Sequence, residues 1–238
     1  MKIYADKLAA TLRGQLLPAY LVSGDEPLLV QEAADAVRSA ARGADYSQRE
    51  LFHCDAGFSW ETLYHEASAL SLFANRKIIE LRLTGKPSDK GEAITELLAR
   101  PNPDQLLLVV AGKLEKSQLN AGWVKAIDAV GAVVQAPAVT AAQLPRFIQQ
   151  RLKQAGVSVN EEAAALLAER VEGNLLAAVQ EIEKLKLLAN DGHIDAQTLS
   201  NVVADSARYN TWEFIDRMLL GDTQAVARSL RGMRAEGV

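Results

Sequence analysis

The 238-residue chain has one cysteine, three histidines and only 5% aromatic residues. A lone thiol cannot form an internal disulfide, and Cys54 with His53, His65 and His193 offers no zinc-type ligand spacing. Redox and metal chemistry are therefore set aside, and no cofactor is expected. Long apolar runs are also missing. The cleanest, Leu106 to Ala111, falls far short of the roughly 20 residues a membrane-spanning helix needs. An acid, Asp6, stands where a secretory signal would place its apolar stretch, so a cytoplasmic protein without membrane association is expected. Charge of one sign is not in excess: 26 Lys and Arg face 30 Asp and Glu, a net −4. The chain's own field does not gather nucleic acid, and DNA would be met through partners or a local patch.

What is present is an ordinary globular composition, 49% hydrophobic and 24% charged. A chain of this length hides roughly 70% of its unfolded surface, which excludes intrinsic disorder. Strand-like apolar runs recur at Ala19 to Ser23, Gln48 to Cys54, Lys77 to Leu83, Gln105 to Ala111 and Ala132 to Ala136. Between them lie stretches of helical periodicity at Pro27 to Ala41, Trp60 to Leu70, Glu92 to Ala99 and Ser117 to Ala129. That alternation predicts a parallel-sheet α/β domain over 1–139. After Pro137 strand-like runs vanish. Thr140 to Gln143 spells a capping box, and helices are expected at Ala141 to Ala155, Glu161 to Val171, Leu175 to Ala189 and Ala196 to Ala204. Asn160 and Asn174 are the expected caps, and Asp191-Gly192 the closing turn. Residues 140–208 thus read as a small helical domain. Residues 209–238, with two helices and no closing element, read as the start of a truncated third domain.

An α/β domain followed by helices invites a test for a phosphate loop. The candidate turn is Gly24-Asp25-Glu26-Pro27-Leu28-Leu29-Val30-Gln31. A working loop needs a second glycine, a lysine and a Ser or Thr, and those slots hold Leu29, Val30 and Gln31. Asp25 and Glu26 put negative charge where phosphates would sit. Neither Ile78 to Leu81 nor Leu107 to Ala111 ends in the acidic pair that would hold magnesium. ATP hydrolysis is not expected, and no other catalytic set assembles. Glu161, Glu162, Glu181, Glu183 and Asp35 read as solvated helical acids. His53 and Cys54 alternate across a strand, so they cannot pair locally, and His65 reads as a helix-surface residue. Arg146, Arg151 and Lys153 form only a modest basic stretch, read as a solvated face.

One anomaly remains, the apolar step Leu70-Ser71-Leu72-Phe73 ahead of Ala74-Asn75-Arg76-Lys77. Leu72 and Phe73 either fold back into the core or stand out as a wedge for a partner's pocket. Spacing alone does not choose.

Taken together, several segments resemble the delta subunit of the bacterial DNA polymerase III clamp loader. They are Ala19 to Leu29, Ser71-Leu72-Phe73, Leu106 to Val110, Gln143-Leu144-Pro145, Glu172 to Ala177 and Glu181 to Leu185. No single motif is decisive, but their order and spacing are specific. The resemblance implies an AAA+-like domain with a degenerate nucleotide site, a helical lid and a C-terminal collar. It also implies a function without intrinsic catalysis: opening the ring-shaped sliding clamp (beta) for loading onto primed DNA. The expected partners are that clamp, the delta prime and gamma/tau subunits through the collar, and primed DNA through the assembled loader. Leu72 and Phe73 would be the clamp-binding pair, flanked by Leu70 and Ser71, with Arg76 and Lys77 meeting acidic groups at the pocket rim. Glutamine, common two or three residues before such a segment, is replaced by Ser68 and Ala69. Where ATP-binding relatives carry a phosphate-sensing arginine, Leu175, Leu176 and Ala177 stand instead. The alternative reading is a catalytically inactive P-loop-like helical adaptor in another complex.

Overall fold

The computed structural model describes residues 1–68, 76–100, 102–189, 193–194, 199, 203 and 211–236. It divides into two compact units, Met1–Ala138 and Val139–Val238. No helix among the described residues is long and apolar enough to cross a membrane.

The first unit is built on a parallel sheet of β1 (Lys2–Tyr4), β2 (Ala19–Gly24), β3 (Tyr46–Cys54), β4 (Arg76–Leu83), β5 (Gln105–Ala111) and β6 (Ala132–Ala136). Their order is β1-β6-β2-β5-β4-β3. The helices are α1 (Ala5–Leu12), α2 (Pro27–Gly43), α3 (Trp60–Ser68), α4 (Glu92–Ala99), α5 (Lys116–Leu119) and α6 (Gly122–Val130). One sheet face carries Tyr20, Val22, Ile78, Leu106 and Leu108 against Val30, Ala34 and Val37 of α2. The other carries Leu21, Ile79, Leu81, Leu107 and Val109 against Leu63, Ile94, Trp123 and Ile127. Because β2 and β5 are covered on both faces, they read as continuous apolar runs rather than as alternation. All five expected strands form, within two residues of their predicted ends. The three-residue β1, paired to β6 at the sheet edge, is too short to leave a periodic signal.

The single helix expected over Ser117 to Ala129 is instead two. Glu115 and Gln118 form a capping box on α5, and the Asn120 side chain donates to the Lys116 carbonyl at 2.9 Å. Asparagine competes with the helical backbone in this way and ends the short turn before Gly122 opens α6.

The second unit contains α7 (Leu144–Gln154), β7 (Ser158–Val159), α8 (Glu161–Arg170), α9 (Leu175–Leu188), β8 (His193–Ile194), α10 (Thr211–Leu219) and α11 (Thr223–Glu236). The two short strands pair in parallel. The expected asparagine caps form: Asn160 accepts from Ala163 N at 2.8 Å and Asn174 from Ala177 N at 3.1 Å. The box at Thr140 does not cap a helix from Ala141. Thr140 and Gln143 bond each other in a turn, and α7 starts at Leu144. Leu144 N donates to the Thr140 carbonyl at 3.0 Å, but Pro145 has no N–H to give the Ala141 carbonyl, so the next bond of the expected helix cannot form. Of the helix expected at Ala196 to Ala204, only Leu199 and Val203 are described, both buried; Asp191-Gly192 lies outside the described residues.

Glu161, Glu162, Glu183 and Asp35 are exposed as expected, but Glu181 is buried. Its Oε1 meets Lys184 Nζ at 2.6 Å, so an ammonium one turn away replaces the solvent. The final helices are tied into the unit by ion pairs, Arg217 with Glu172 and Arg228 with Glu169, the latter at 3.2 Å.

Candidate functional site

The end of α3 is finished by side chains from β4 and β5. The last carbonyls of a helix have no intrahelical donors and need outside partners. Lys77 of β4 donates to the Glu66 carbonyl, and Gln105 Nε2 of β5 donates to the Ala67 carbonyl at 2.6 Å. Along its length α3 is held by Leu63 in the core, by Trp60 Nε1 donating to Ser88 Oγ at 2.8 Å, and by Tyr64 OH on Glu96 at 2.8 Å. Trp60 and Phe58 meet edge-to-face with centroids 5.1 Å apart, and Phe58 meets Phe52 at 6.0 Å. The Tyr64 hydroxyl is pushed up to about 12 by desolvation and by its Glu96 acceptor, so it stays a donor at neutral pH.

Leu70, Ser71, Leu72 and Phe73, the proposed clamp-binding segment, lie outside the described residues. The two cations that follow have separate fates. Arg76 is exposed: its Nη1 donates to the Ala44 carbonyl at 3.3 Å, its Nε to Asp104 at 3.4 Å, and its guanidinium lies 5.3 Å from the Tyr46 ring centre. Lys77 is only 7% exposed and turned inward onto α3. Its ammonium therefore meets the last turn of α3 and not open solvent.

The turn after β2 is closed by its own groups. A Cβ on Gly24 would sit 1.8 Å from the Ala136 carbonyl oxygen, so glycine is required by the approach of β6. Glu26 caps α2, its Oε1 accepting from Leu28 N at 3.3 Å. Asp25 Oδ1 lies 3.0 Å from Lys113 Nζ at the end of β5, which raises the lysine's affinity for its proton. Leu29 and Val30 pack into the α2 core, and exposed Gln31 donates to Asp35 at 3.0 Å. Pro27 occupies the first turn, where its missing N–H costs nothing. Two carboxylates and two apolar anchors thus fill the helix N-terminus that would otherwise favour an anion.

His53 is exposed and Cys54 buried, on opposite faces of β3, and His65 is exposed. Burial pushes the Cys54 thiol up to about 12, with the nearby Asp55 and Asp89 charges adding to it, so it is not a nucleophile. On α7, Arg146 and Lys153 are exposed and Arg151 lies over the Phe147 ring at 4.9 Å.

Sequence reasoning passed over one charged group, Glu80, which is wholly buried in β4. Burial alone would raise its pKa. Hydrogen bonds from Arg49, Arg82 and Arg38 outweigh that and hold the carboxyl below the usual range. The only signal in sequence was an acid inside the apolar run Ile78-Ile79-Glu80-Leu81, which spacing reads as an ordinary interruption.

Residues 20–137 match the family model described as DNA polymerase III, delta subunit. Over 239 residues the chain is 33% identical to DNA polymerase III subunit delta of Escherichia coli K12, covering all of this chain and 70% of that protein. Over 241 residues it is 26% identical to the same-named protein of Haemophilus influenzae, again covering all of this chain and 70% of the other. Among solved structures it superposes on the Bacillus subtilis DNA clamp loader delta protein with a TM-score of 0.65 at 19% identity, covering 98% of this chain and 72% of that one. It also superposes on the Thermotoga maritima RuvB Holliday junction branch migration motor with a TM-score of 0.50 at 15% identity, covering 94% and 80%. The fold is AAA+-like.

Proposed function

Because the chain belongs to the family of DNA polymerase III delta subunits, we propose that it binds and opens the sliding clamp within a bacterial clamp loader, without hydrolysing ATP itself. The observation that carries this reading is the Leu72-Phe73 step of the sequence, four residues beyond a helix whose last carbonyls are held by Lys77 and Gln105. Opening needs no chemistry: a ligand that prefers the open form shifts the population, and moving it from 1:99 to 99:1 takes a preference of about 10⁴-fold. Leu72 and Phe73 supply apolar anchors of the size that dominates protein interfaces. Leu70 and Ser71 flank them, and Arg76, already held by Asp104, contributes charge beside them more to rate than to strength.

Nucleotide has no place after β2, where Asp25, Glu26, Leu29 and Val30 fill the phosphate position and its walls. ATP control would come from neighbouring gamma/tau subunits, with delta prime completing the loader and primed DNA reaching the chain through that assembly in the cytoplasm. The domain reading that fits is an AAA+-like clamp-binding domain over 1–139, a lid over 140–208 and the first collar helices over 209–238.

The test is binding to a purified bacterial sliding clamp, wild type against a Leu72→Ala, Phe73→Ala double variant, with circular dichroism to verify folding. The expected result is a loss of affinity of about 100-fold or more in a folded variant, since each truncated anchor costs on the order of 2 kcal/mol. Unchanged affinity would assign the pair elsewhere, and absent wild-type binding would favour the adaptor reading.

A further inference from the structure

On the sheet face that α2 covers, the last strand is covered at Tyr46 but exposed from Arg49 onward. Register places Arg49 beside Ile78, Leu51 beside Glu80 and His53 beside Arg82. Arg49, Leu51 and His53 are exposed on this edge, and the Arg82 side chain is 37% exposed. The buried Glu80 carboxylate beneath them is a pedestal. Arg49 donates Nε to its Oε2 at 2.8 Å, Arg82 donates Nε to its Oε1 at 3.1 Å, and Arg38 donates Nε from α2 at 2.9 Å. Arg49 and Arg82 spend only Nε on Glu80. Their Nη groups have no hydrogen-bond partner among the described residues. Two guanidiniums are thus oriented from below, with their donor edges left for something else, and orientation by a buried group removes much of the entropy cost of binding.

We propose that this β3–β4 face docks an acidic surface of a neighbouring protein subunit, with Arg49 and Arg82 holding carboxylates on either side of an apolar contact at Leu51. Charge complementarity carries the choice. Among the described residues Arg38, Arg49 and Arg82 meet only the carboxylates of Glu80 and Asp35, so three cations face two acids on a chain whose net charge is −4. Guanidinium forks match carboxylates in paired geometry. Exposed Leu51 at the centre favours a protein over a phosphate backbone, which has nothing to offer an isobutyl group, and the chain's overall charge repels a polyanion. The face begins at Arg49, beside Ile78, and runs away from Arg76 to Arg82, which lies six residues beyond Arg76 along β4, roughly 20 Å at a strand's rise. Its far end at Arg82 is therefore set apart from the end of α3, and its occupant is assigned to a second subunit and not to the clamp.

The choice of probe rests on the delta-subunit reading. The variant is Leu51→Ser with His53→Ser, which removes the apolar centre of the face, adds no charge beside Glu80 and leaves Arg49, Arg82 and Glu80 in place, with circular dichroism to verify folding. Two assays are run side by side: assembly with purified gamma/tau and delta prime subunits by sedimentation, and affinity for the sliding clamp. The expected result is at least a tenfold loss in assembly with clamp affinity unchanged. Arg82→Lys, which keeps one cation on Glu80 but loses the fork, is expected to lose less. Loss of clamp affinity would overturn the assignment of the partner. A loss confined to binding of primed DNA by the assembled loader would point to phosphates and overturn the protein partner. No change in any assay would leave the charges as protection of an edge strand and overturn the proposal. If the wild-type chain binds neither clamp nor loader subunits, the delta-subunit reading fails, an outcome separate from all of these.

Discussion

The turn after β2 and the β3–β4 face use the same ingredients, carboxylates and cations on an α/β sheet, in opposite senses. At the turn, Asp25 and Glu26 bring negative charge to a helix N-terminus, and Lys113 reaches back to neutralise it. Everything there is satisfied internally or faces water. At the β3–β4 face a single carboxylate is buried, and it presents guanidiniums outward. The contrast teaches that the same charges can close a turn on itself or stand at a sheet margin with donor groups turned outward.

The contrast breaks most sharply at Glu80. Replacing it with Ala leaves the buried Arg38 with only the exposed Asp35 as its acid, and removing one member of a buried pair costs about 3–5 kcal/mol. Chemical denaturation would read this as a lowered midpoint with an unchanged slope. The pH dependence follows from the same group. Its folded pKa is depressed, so its contribution is fully present above the ordinary carboxylate range and is lost as pH falls through the depressed value. Glu80→Gln should flatten the acid limb of the stability profile, and an unchanged limb would show that the carboxylate is not ionised by its arginines.

Gly24→Ala comes next. Its Cβ would collide with the Ala136 carbonyl, and overpacking of this kind costs about 1–3 kcal/mol. Thermal unfolding would show it, while nucleotide affinity, measured by titration calorimetry, should stay undetectable in both proteins. The smallest effect belongs to Asp25→Asn. The pair it breaks with Lys113 is at the surface, where such pairs contribute little, so the melting temperature should barely move. Nucleotide binding gained by that single change would show that the turn is an intact site held shut by one charge.

Much of this was legible in the sequence for identifiable reasons. Strands buried on both faces announce themselves as unbroken apolar runs, and asparagine caps announce themselves by chemistry, as at Asn160 and Asn174. Leu29 and Val30 were legible as apolar helix residues, and they pack into the α2 core. What escaped depends on distant contacts. The burial of Lys77 was not legible because nothing in its neighbours reveals that the end of α3 lies over it. Glu181 looked solvated because alanine-rich helices hide which face is inside. Glu80 looked like an interruption because its three arginines come from β3, α2 and β4, and only folding brings them together.

The central claim is that this chain moves a ring by binding, with no nucleotide of its own. The direct measurement is release of a sliding clamp from closed circular DNA by the chain alone, followed by loss of clamp fluorescence from the DNA, with and without ATP. The account predicts release at the same rate in both conditions, abolished by Leu72→Ala with Phe73→Ala. Release that requires ATP, or that survives the double substitution, would contradict it.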